Sequence, residues 1–276
     1  MFDPVGKRVL ITGSSAGLGA EMARGLAARG AIVGICGRRE ERLAEVLADI
    51  TSFSPNSRAW AVDLSDLDAL DSFAESVTQE FGGIDVLVNN AGIPKRRWAW
   101  EHRPDEISDV LRINLESPIR LTLALLDSLA NNNGQIVFVG SVAARLSPPS
   151  EAVYASSKAA ITAFAECLRV DLSIAGTPIG VHVLQPGVLD TELFAHPDND
   201  SSLSDIEALP ASAILQPLID LLGSNMVEAF VPDWFTDLPP VKTGDPEGFL
   251  QGAAEYTLQR LSDLGMTPPV GPGANK

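Results

Sequence analysis

Residues 9–19 read VLITGSSAGLG, an aliphatic run that breaks into glycines just where a helical pattern begins. Val9-Leu10-Ile11 has the make-up of a buried strand, and from Leu18 to Ala28 the apolar residues recur at helical spacing, stopping at Gly30. Between the two, Gly13, Gly17 and Gly19 allow a tight turn and a close approach to a ligand. The first N–H groups of the helix have no partner inside it, so together with the helix dipole they favour a pyrophosphate there. Without that strand-to-helix context the same glycines would be no more than a turn.

Working outward, the alternation continues. Ile32 to Cys36, Ala59 to Val62, Asp85 to Val88, Gln135 to Val139 and Gly180 to Leu184 read as further strands. Between them stand the charged helix RREERLAEVLADI, a helix from about Leu67 to Phe81, and helices around Glu106 to Ala130 and Val153 to Leu172. Parallel strands need crossovers, and here the crossovers are helical. Six such units predict an α/β fold: a single Rossmann-type doubly wound parallel sheet with helices on both faces.

One domain is expected over residues 1–264, with a variable substrate loop at about 192–210, where AHPDNDSSLSD turns polar and acidic. An apolar helical stretch around Ile214 to Leu222 follows, then the short run Ala229-Phe230-Val231, a Pro- and Asp-rich segment and a last helical pattern to about Leu264. Residues 265–276, ending TPPVGPGANK, read as a flexible tail.

The formal charge of −16 repels phosphate backbones and anionic lipid surfaces, which argues against nucleic-acid and membrane-surface partners. Cys36, Cys167, His102, His182 and His196 show no metal-ligand spacing, so no metal is expected, and both cysteines read as core thiols. The chain enters its first apolar segment without a leader, and no window reaches the roughly 18 apolar residues of a membrane span. A soluble, cytoplasmic protein with no membrane span is the expectation.

The glycine spacing, G-x-x-x-G-x-G, resembles that of the short-chain dehydrogenase/reductase family. Asn89-Asn90-Ala91-Gly92 after the fourth strand matches the segment that supports the sheet near the cofactor's adenine side in that family. Asp63, followed by Leu64, matches an acid that touches the adenine amino group. Pro186, Gly187 and Thr191 match a PGxxxT segment whose threonine helps to hold the nicotinamide carboxamide. Asn114, in LRINLES, matches a fourth catalytic residue, to which the resemblance assigns a water-mediated proton relay through Lys158. Around the glycine loop the resemblance implies cofactor contacts at Gly13, Ser15, Gly17, Leu18 and Gly19, and beyond it at Asn90, Ala91, Gly92, Tyr154 and Lys158. It extends over about residues 5–192, and past Thr191 the match is poor.

Ser141, Tyr154 and Lys158 follow the spacing Ser-x12-Tyr-x3-Lys, with Ser141 closing a strand and the other two on the next helix. A separation of four puts phenol and ammonium on one helical face. A tyrosine titrating near pH 10 is a poor base at neutral pH, and a fixed cation beside it is expected to favour the phenolate. Tyr154 is then the general acid/base for the substrate oxygen as hydride passes to or from the nicotinamide, with Ser141 bonding the same oxygen.

At the end of the second strand stand Gly37-Arg38-Arg39. An acid there would accept from a ribose 2′-hydroxyl, whereas a cation meets a 2′-phosphate. NADP is therefore expected over NAD, with Arg38 the principal phosphate partner and Arg39 a second.

The expected function is NADP-dependent interconversion of an alcohol and a ketone or aldehyde, on a small-molecule substrate. A lipophilic substrate is expected, with Trp98 and Trp100 as an apolar wall; Lys95, Arg96 and Arg97 are the alternative signal, for an acidic one. Two other functions are the alternatives: a catalytically silent cofactor-sensing or interaction protein on the same fold, and an epimerase or dehydratase of the extended branch. The first is recognised by a missing tyrosine or lysine, and neither is missing here. In relatives the helices corresponding to Asn114–Ala130 and Val153–Leu172 form a dimer face, which implies a homodimer or homotetramer.

Overall fold

The computed structural model describes residues 2–194 and 198–273. Its main sheet is parallel, seven-stranded, in the order β3-β2-β1-β4-β5-β6-β9. The strands are β1 (Arg8–Thr12), β2 (Ile32–Gly37), β3 (Arg58–Ala61), β4 (Val86–Asn89), β5 (Gln135–Val139), β6 (Gly180–Pro186) and, after a minor pair, β9 (Glu228–Val231). The sequence pattern predicts six strands. Ala229–Val231, read only as a short apolar run, is the seventh, pairing with Val183–Pro186.

Side chains of successive strand residues point to opposite faces, and here both faces are apolar. Val9, Ile11, Val86, Val88, Val137 and Leu184 pack on α1 (Gly17–Ala27), α2 (Glu40–Thr51) and α9 (Leu215–Leu222). Leu10, Leu87, Ile136, Phe138 and Val183 face the other way, onto α3 (Leu70–Phe81), the α4–α6 segment and α8 (Ala152–Ile174). The strand order reverses between β1 and β4, so the loops leaving these two strands diverge and open a crevice at the carboxyl end of the sheet.

The continuous helix expected from Glu106 to Ala130 is instead three: α4 (Pro104–Leu111), α5 (Ser117–Ala124) and α6 (Leu126–Asn131). Between α4 and α5 the backbone widens into a π-turn, Arg112–Glu116, in which Ser117 N–H donates to the Arg112 carbonyl. Pro118 supplies the cause. It has no N–H for the Asn114 carbonyl four residues back, so regular helix cannot be kept there.

The region expected to be a variable loop carries some order. β7 (Leu189–Asp190) and β8 (Leu209–Pro210) pair in parallel, while residues 195–197, and His196 with them, lie outside the described residues. α7 (Ala143–Leu146) precedes α8, and the chain ends in two further helices, α10 (Leu238–Gly244) and α11 (Pro246–Asp263). Of the expected tail, residues 274–276 also lie outside the described residues. Cys36 is buried as expected, but Cys167 is exposed, because it falls on the solvent side of α8. No described helix is long and apolar enough to cross a membrane, and no metal-binding cluster occurs among the described residues.

Candidate active site

The crevice is a cleft of about 1090 Å³ running from the β1–α1 glycine loop to α8 and α11. Gly13 has φ +67, and a Cβ there would stand 2.7 Å from the Ala91 Cα. That near-contact joins the two loops that flank the crevice. Thr12 Oγ1 accepts from the N–H groups of Asn90 (3.0 Å) and Ala91 (2.9 Å), and Asn90 Nδ2 donates back to the Thr12 carbonyl at 2.8 Å. Gly13, Ser15, Gly17, Leu18, Asn90, Ala91 and Gly92 line this end. Gly19 stands just behind it, where a Cβ would meet Asn90 Nδ2 at 2.6 Å.

Arg38, Arg39, Asp63 and Leu64 line the same end. The Arg39 guanidinium donates to Ser15 Oγ at 3.0 and 3.1 Å and pairs with Glu192 at 3.3 Å; Glu192 also pairs with Arg42 at 3.2 Å. Burial works to raise the Asp63 carboxyl, but hydrogen bonds from Ser65 and the nearby Arg38 charge outweigh it and hold Asp63 below its ordinary range. On the far side, Pro186, Gly187 and Thr191 line the cleft, with Thr191 Cβ 3.5 Å from where a Gly17 Cβ would be.

Tyr154 and Lys158 lie one turn apart on α8, each only 5% exposed, and both face the cleft. Lys158 Nζ donates to the Val139 carbonyl at 2.8 Å and lies 5.8 Å from the Tyr154 ring centroid. The Tyr154 hydroxyl shares a hydrogen bond with the Ser141 side chain. Ser141 is itself fixed: its N–H donates to Gln185 Oε1 at 2.6 Å, and its Oγ accepts from Ala143 N–H at 3.1 Å. Asn114, on the π-turn, exchanges hydrogen bonds with the Ile93 backbone and donates to Ser157 Oγ at 3.1 Å. Asn114 Oδ1 and Lys158 Nζ converge on Gly92, at 3.2 and 3.4 Å from where its Cβ would be.

The electrostatics differ from the sequence expectation. Burial is the largest influence on Tyr154 and raises its pKa; the Glu151 carboxylate adds to this, while Ser141 and Arg96 act the other way. Lys158 is itself pushed down by burial, to about 8. Desolvation thus works against the phenolate that the neighbouring cation was expected to favour.

The basic run after β4 also reads differently in three dimensions. Lys95 pairs with Glu106 at 3.0 Å and with Asp198; Arg97 pairs with Glu106 at 3.2 Å and Asp198 at 3.1 Å; Arg96 pairs with Glu151 at 3.0 Å. These cations meet the chain's own carboxylates, and of the three only Arg96 lines the cleft. Trp98 and Trp100 stack on one another at 5.9 Å and are not among the residues lining the cleft. The aromatic wall comes instead from Trp234, Phe235, Phe249 and Tyr256.

Those four residues escaped the sequence reading because nothing in their local pattern says which way they face. Gln185 and Glu151 escaped it too. Gln185 holds Ser141 from the neighbouring strand and donates to Glu228 at 2.6 Å, a relationship that exists only once β6 lies between β5 and β9. A signal for Glu151 was present, since a carboxylate three residues before Tyr154 lies within helical reach of it.

A family model described as short chain dehydrogenase matches residues 7–201. The chain is similar to "Dehydrogenase/reductase SDR family member 7B" of Xenopus laevis, 35% identical over 192 residues. That match covers 67% of this chain and 59% of the frog protein, so the chain spans less than two thirds of that relative's length. It is 31% identical over 210 residues to the 3-oxoacyl-[acyl-carrier-protein] reductase FabG of Escherichia coli strain K12, covering 76% of this chain and 84% of the relative. Among solved structures it resembles a short chain dehydrogenase from Burkholderia cenocepacia in complex with NADP, with TM-score 0.72, 31% identity, and coverage of 81% and 93% of the two chains. The crevice at the strand-order reversal, the Ser141–Tyr154–Lys158 cluster within it and the family match together make this chain a member of the short-chain dehydrogenase/reductase family of NAD(P)-dependent oxidoreductases.

Proposed function

We propose that this protein is an NADP-dependent oxidoreductase that interconverts an alcohol and a ketone or aldehyde, with Tyr154 as the general acid/base. The observation that carries this reading is the convergence of the Tyr154 hydroxyl, Ser141 and Lys158 in one cleft that also reaches the glycine loop.

The residues present fit a dinucleotide. α1 has no acidic residue in its first turn, and Ala16 at its N-cap has no side-chain oxygen to satisfy the leading N–H groups, so that end is suited to a phosphate. Gly13, Ser15, Gly17, Leu18 and Gly19 would hold the pyrophosphate. Asp63, Leu64, Asn90, Ala91 and Gly92 would hold the adenosine side, and Pro186, Gly187 and Thr191 the nicotinamide side. Arg38 and Arg39 would meet a 2′-phosphate, since no carboxylate occupies the tip of β2; NAD is the alternative. When bound, the nicotinamide supplies or receives the hydride.

Tyr154 gives its hydroxyl proton to the substrate oxygen in reduction and takes it back in oxidation. Burial, which raises its pKa, works toward the protonated phenol that acts as the acid in reduction. Ser141, locked by Gln185 and Ala143, donates to the same oxygen and stabilises the charge that develops there. Lys158, with Asn114 beside it at Gly92, replaces the Tyr154 proton through a relay leading to solvent.

Two further parts belong to this reading. Cys36 and Cys167 are free thiols, which suits a cytoplasmic setting. α5 and α8 expose Leu123, Val170 and Ile174, apolar side chains that suit a homodimer or homotetramer.

The test is NADPH oxidation with a panel of ketones and aldehydes. Turnover that Tyr154→Phe abolishes while NADPH still binds is the expected result. NADPH binding with no turnover across a broad panel would overturn the enzyme reading in favour of a cofactor sensor.

A further inference from the structure

Arg96 and Glu151 both line the cleft, and they form an ion pair of 3.0 Å whose side chains are only 11% and 12% exposed. Glu151 stands just before α8, three residues ahead of Tyr154, and Tyr154 one turn before Lys158, so carboxylate, phenol and ammonium follow one another from the helix start. Arg96 reaches Glu151 from the β4–α4 loop. Its backbone is tied on both sides to the segment at 198–200: Arg96 N–H donates to Asn199 Oδ1, and Asp200 N–H to the Arg96 carbonyl, each at 2.9 Å. Ser150, just before Glu151, takes φ +57, a left-handed conformation that is costly for a residue with a side chain. The chain is thus turned sharply at the point where Glu151 enters the cleft.

Taking an ion pair out of water generally costs as much as the pairing returns, and an apolar pair of similar volume would stabilise the fold at least as well. Most of the surrounding wall is in fact apolar or aromatic, including Leu146, Pro148, Pro149 and Phe235. A charge pair kept in such a wall presents hydrogen-bonding groups to whatever lies over Tyr154. Because the pair is neutral as a unit, it suits an uncharged polar group and not a carboxylate. We propose that Arg96 and Glu151 are specificity-determining residues that recognise a second, uncharged oxygen on the substrate, so that the preferred substrates are ketones bearing a neighbouring hydroxyl or carbonyl group. This rests on the carbonyl-reductase reading above.

The experiment compares two ketones of nearly equal shape, 2-hydroxycyclohexanone and 2-methylcyclohexanone, by their kcat/KM for reduction with NADPH. The wild-type chain is expected to prefer the hydroxyketone by about tenfold or more, since a site built to bond a hydroxyl discriminates against the analogue lacking it. In R96M/E151L, which removes both charges together, the preference should fall to within about twofold; in Glu151→Gln, which keeps a hydrogen-bonding side chain, an intermediate preference should remain. Each preference is a ratio taken on one preparation, so partial loss of folded protein cancels. A wild-type ratio near one, or a ratio unchanged in R96M/E151L, would overturn the specificity proposal while turnover of both ketones leaves the reductase reading standing. No turnover of either ketone or of the wider panel would overturn both.

Discussion

Asn114 and Ile93 exchange two hydrogen bonds: Ile93 N–H donates to Asn114 Oδ1 at 2.8 Å, and Asn114 Nδ2 donates to the Ile93 carbonyl at 2.9 Å. The side-chain amide thus acts as a length of neighbouring strand and pins the segment leaving β4 to the π-turn. Asn114→Ala leaves both backbone groups in a part-buried place without their partner. It should cost about 2 kcal/mol or more of stability, read as a lower urea midpoint, and should lower turnover at least tenfold by loosening the ground beside Lys158. An unchanged midpoint would mean that the exchange contributes nothing to the fold.

Gly13 makes a sharper steric prediction. Its φ of +67 and the 2.7 Å separation between a built Cβ and the Ala91 Cα act together. Ala91 cannot retreat easily, because its N–H is held by Thr12 Oγ1 at 2.9 Å. Gly13→Ala should therefore lose about 2–5 kcal/mol from backbone strain and overpacking combined, measured by chemical unfolding, and NADPH affinity should fall with it.

Arg38 and Arg39 bear on the choice of cofactor. Arg38→Asp, which puts an acid near the tip of β2, should shift the NADP/NAD preference toward NAD by on the order of tenfold to a hundredfold, the value of one or two charge-assisted hydrogen bonds. Titration of both cofactors into wild type and variant measures it; equal losses for the two would sink the assignment. Glu192→Gln should shift the same preference more mildly and the other way, toward NADP, because it frees Arg39 and Arg42 from their shared carboxylate.

Lys158 gives a dependence on pH. Its folded-state pKa of about 8 lies below the ordinary 10.5, so between these values the unfolded chain binds more protons than the folded one. Stability contributed by this group therefore rises with pH across that window, by roughly 3 kcal/mol in full. Cys36, raised by burial to about 12, works the other way above about pH 9, so wild type alone is a poor reporter. The informative quantity is the difference between wild type and Lys158→Met. Wild type should gain on the variant as pH climbs from 8 toward 10, and a constant difference would contradict a buried, proton-shedding Lys158.

What the chain determines locally is the order of strands and helices, the glycine turn after β1 and the one-face spacing of Tyr154 and Lys158, because each depends on residues a few positions apart. The doubly wound sheet follows from these, since buried parallel strands joined by helices leave few other arrangements. Interruption of the helix at Asn114 was legible in principle, as Pro118 withholds an N–H from the carbonyl four residues earlier, but apolar periodicity alone passes over it. Three features had no local signature: the pairing of Arg96 with Glu151, the anchoring of Ser141 by Gln185, and the wall of Trp234, Phe235, Phe249 and Tyr256. The first two join residues distant in sequence, and the wall faces a cleft that exists only after the strands are laid side by side. The same holds for the proton on Tyr154. Spacing puts a cation within reach of the phenol, but only tertiary burial introduces the desolvation that works against the phenolate.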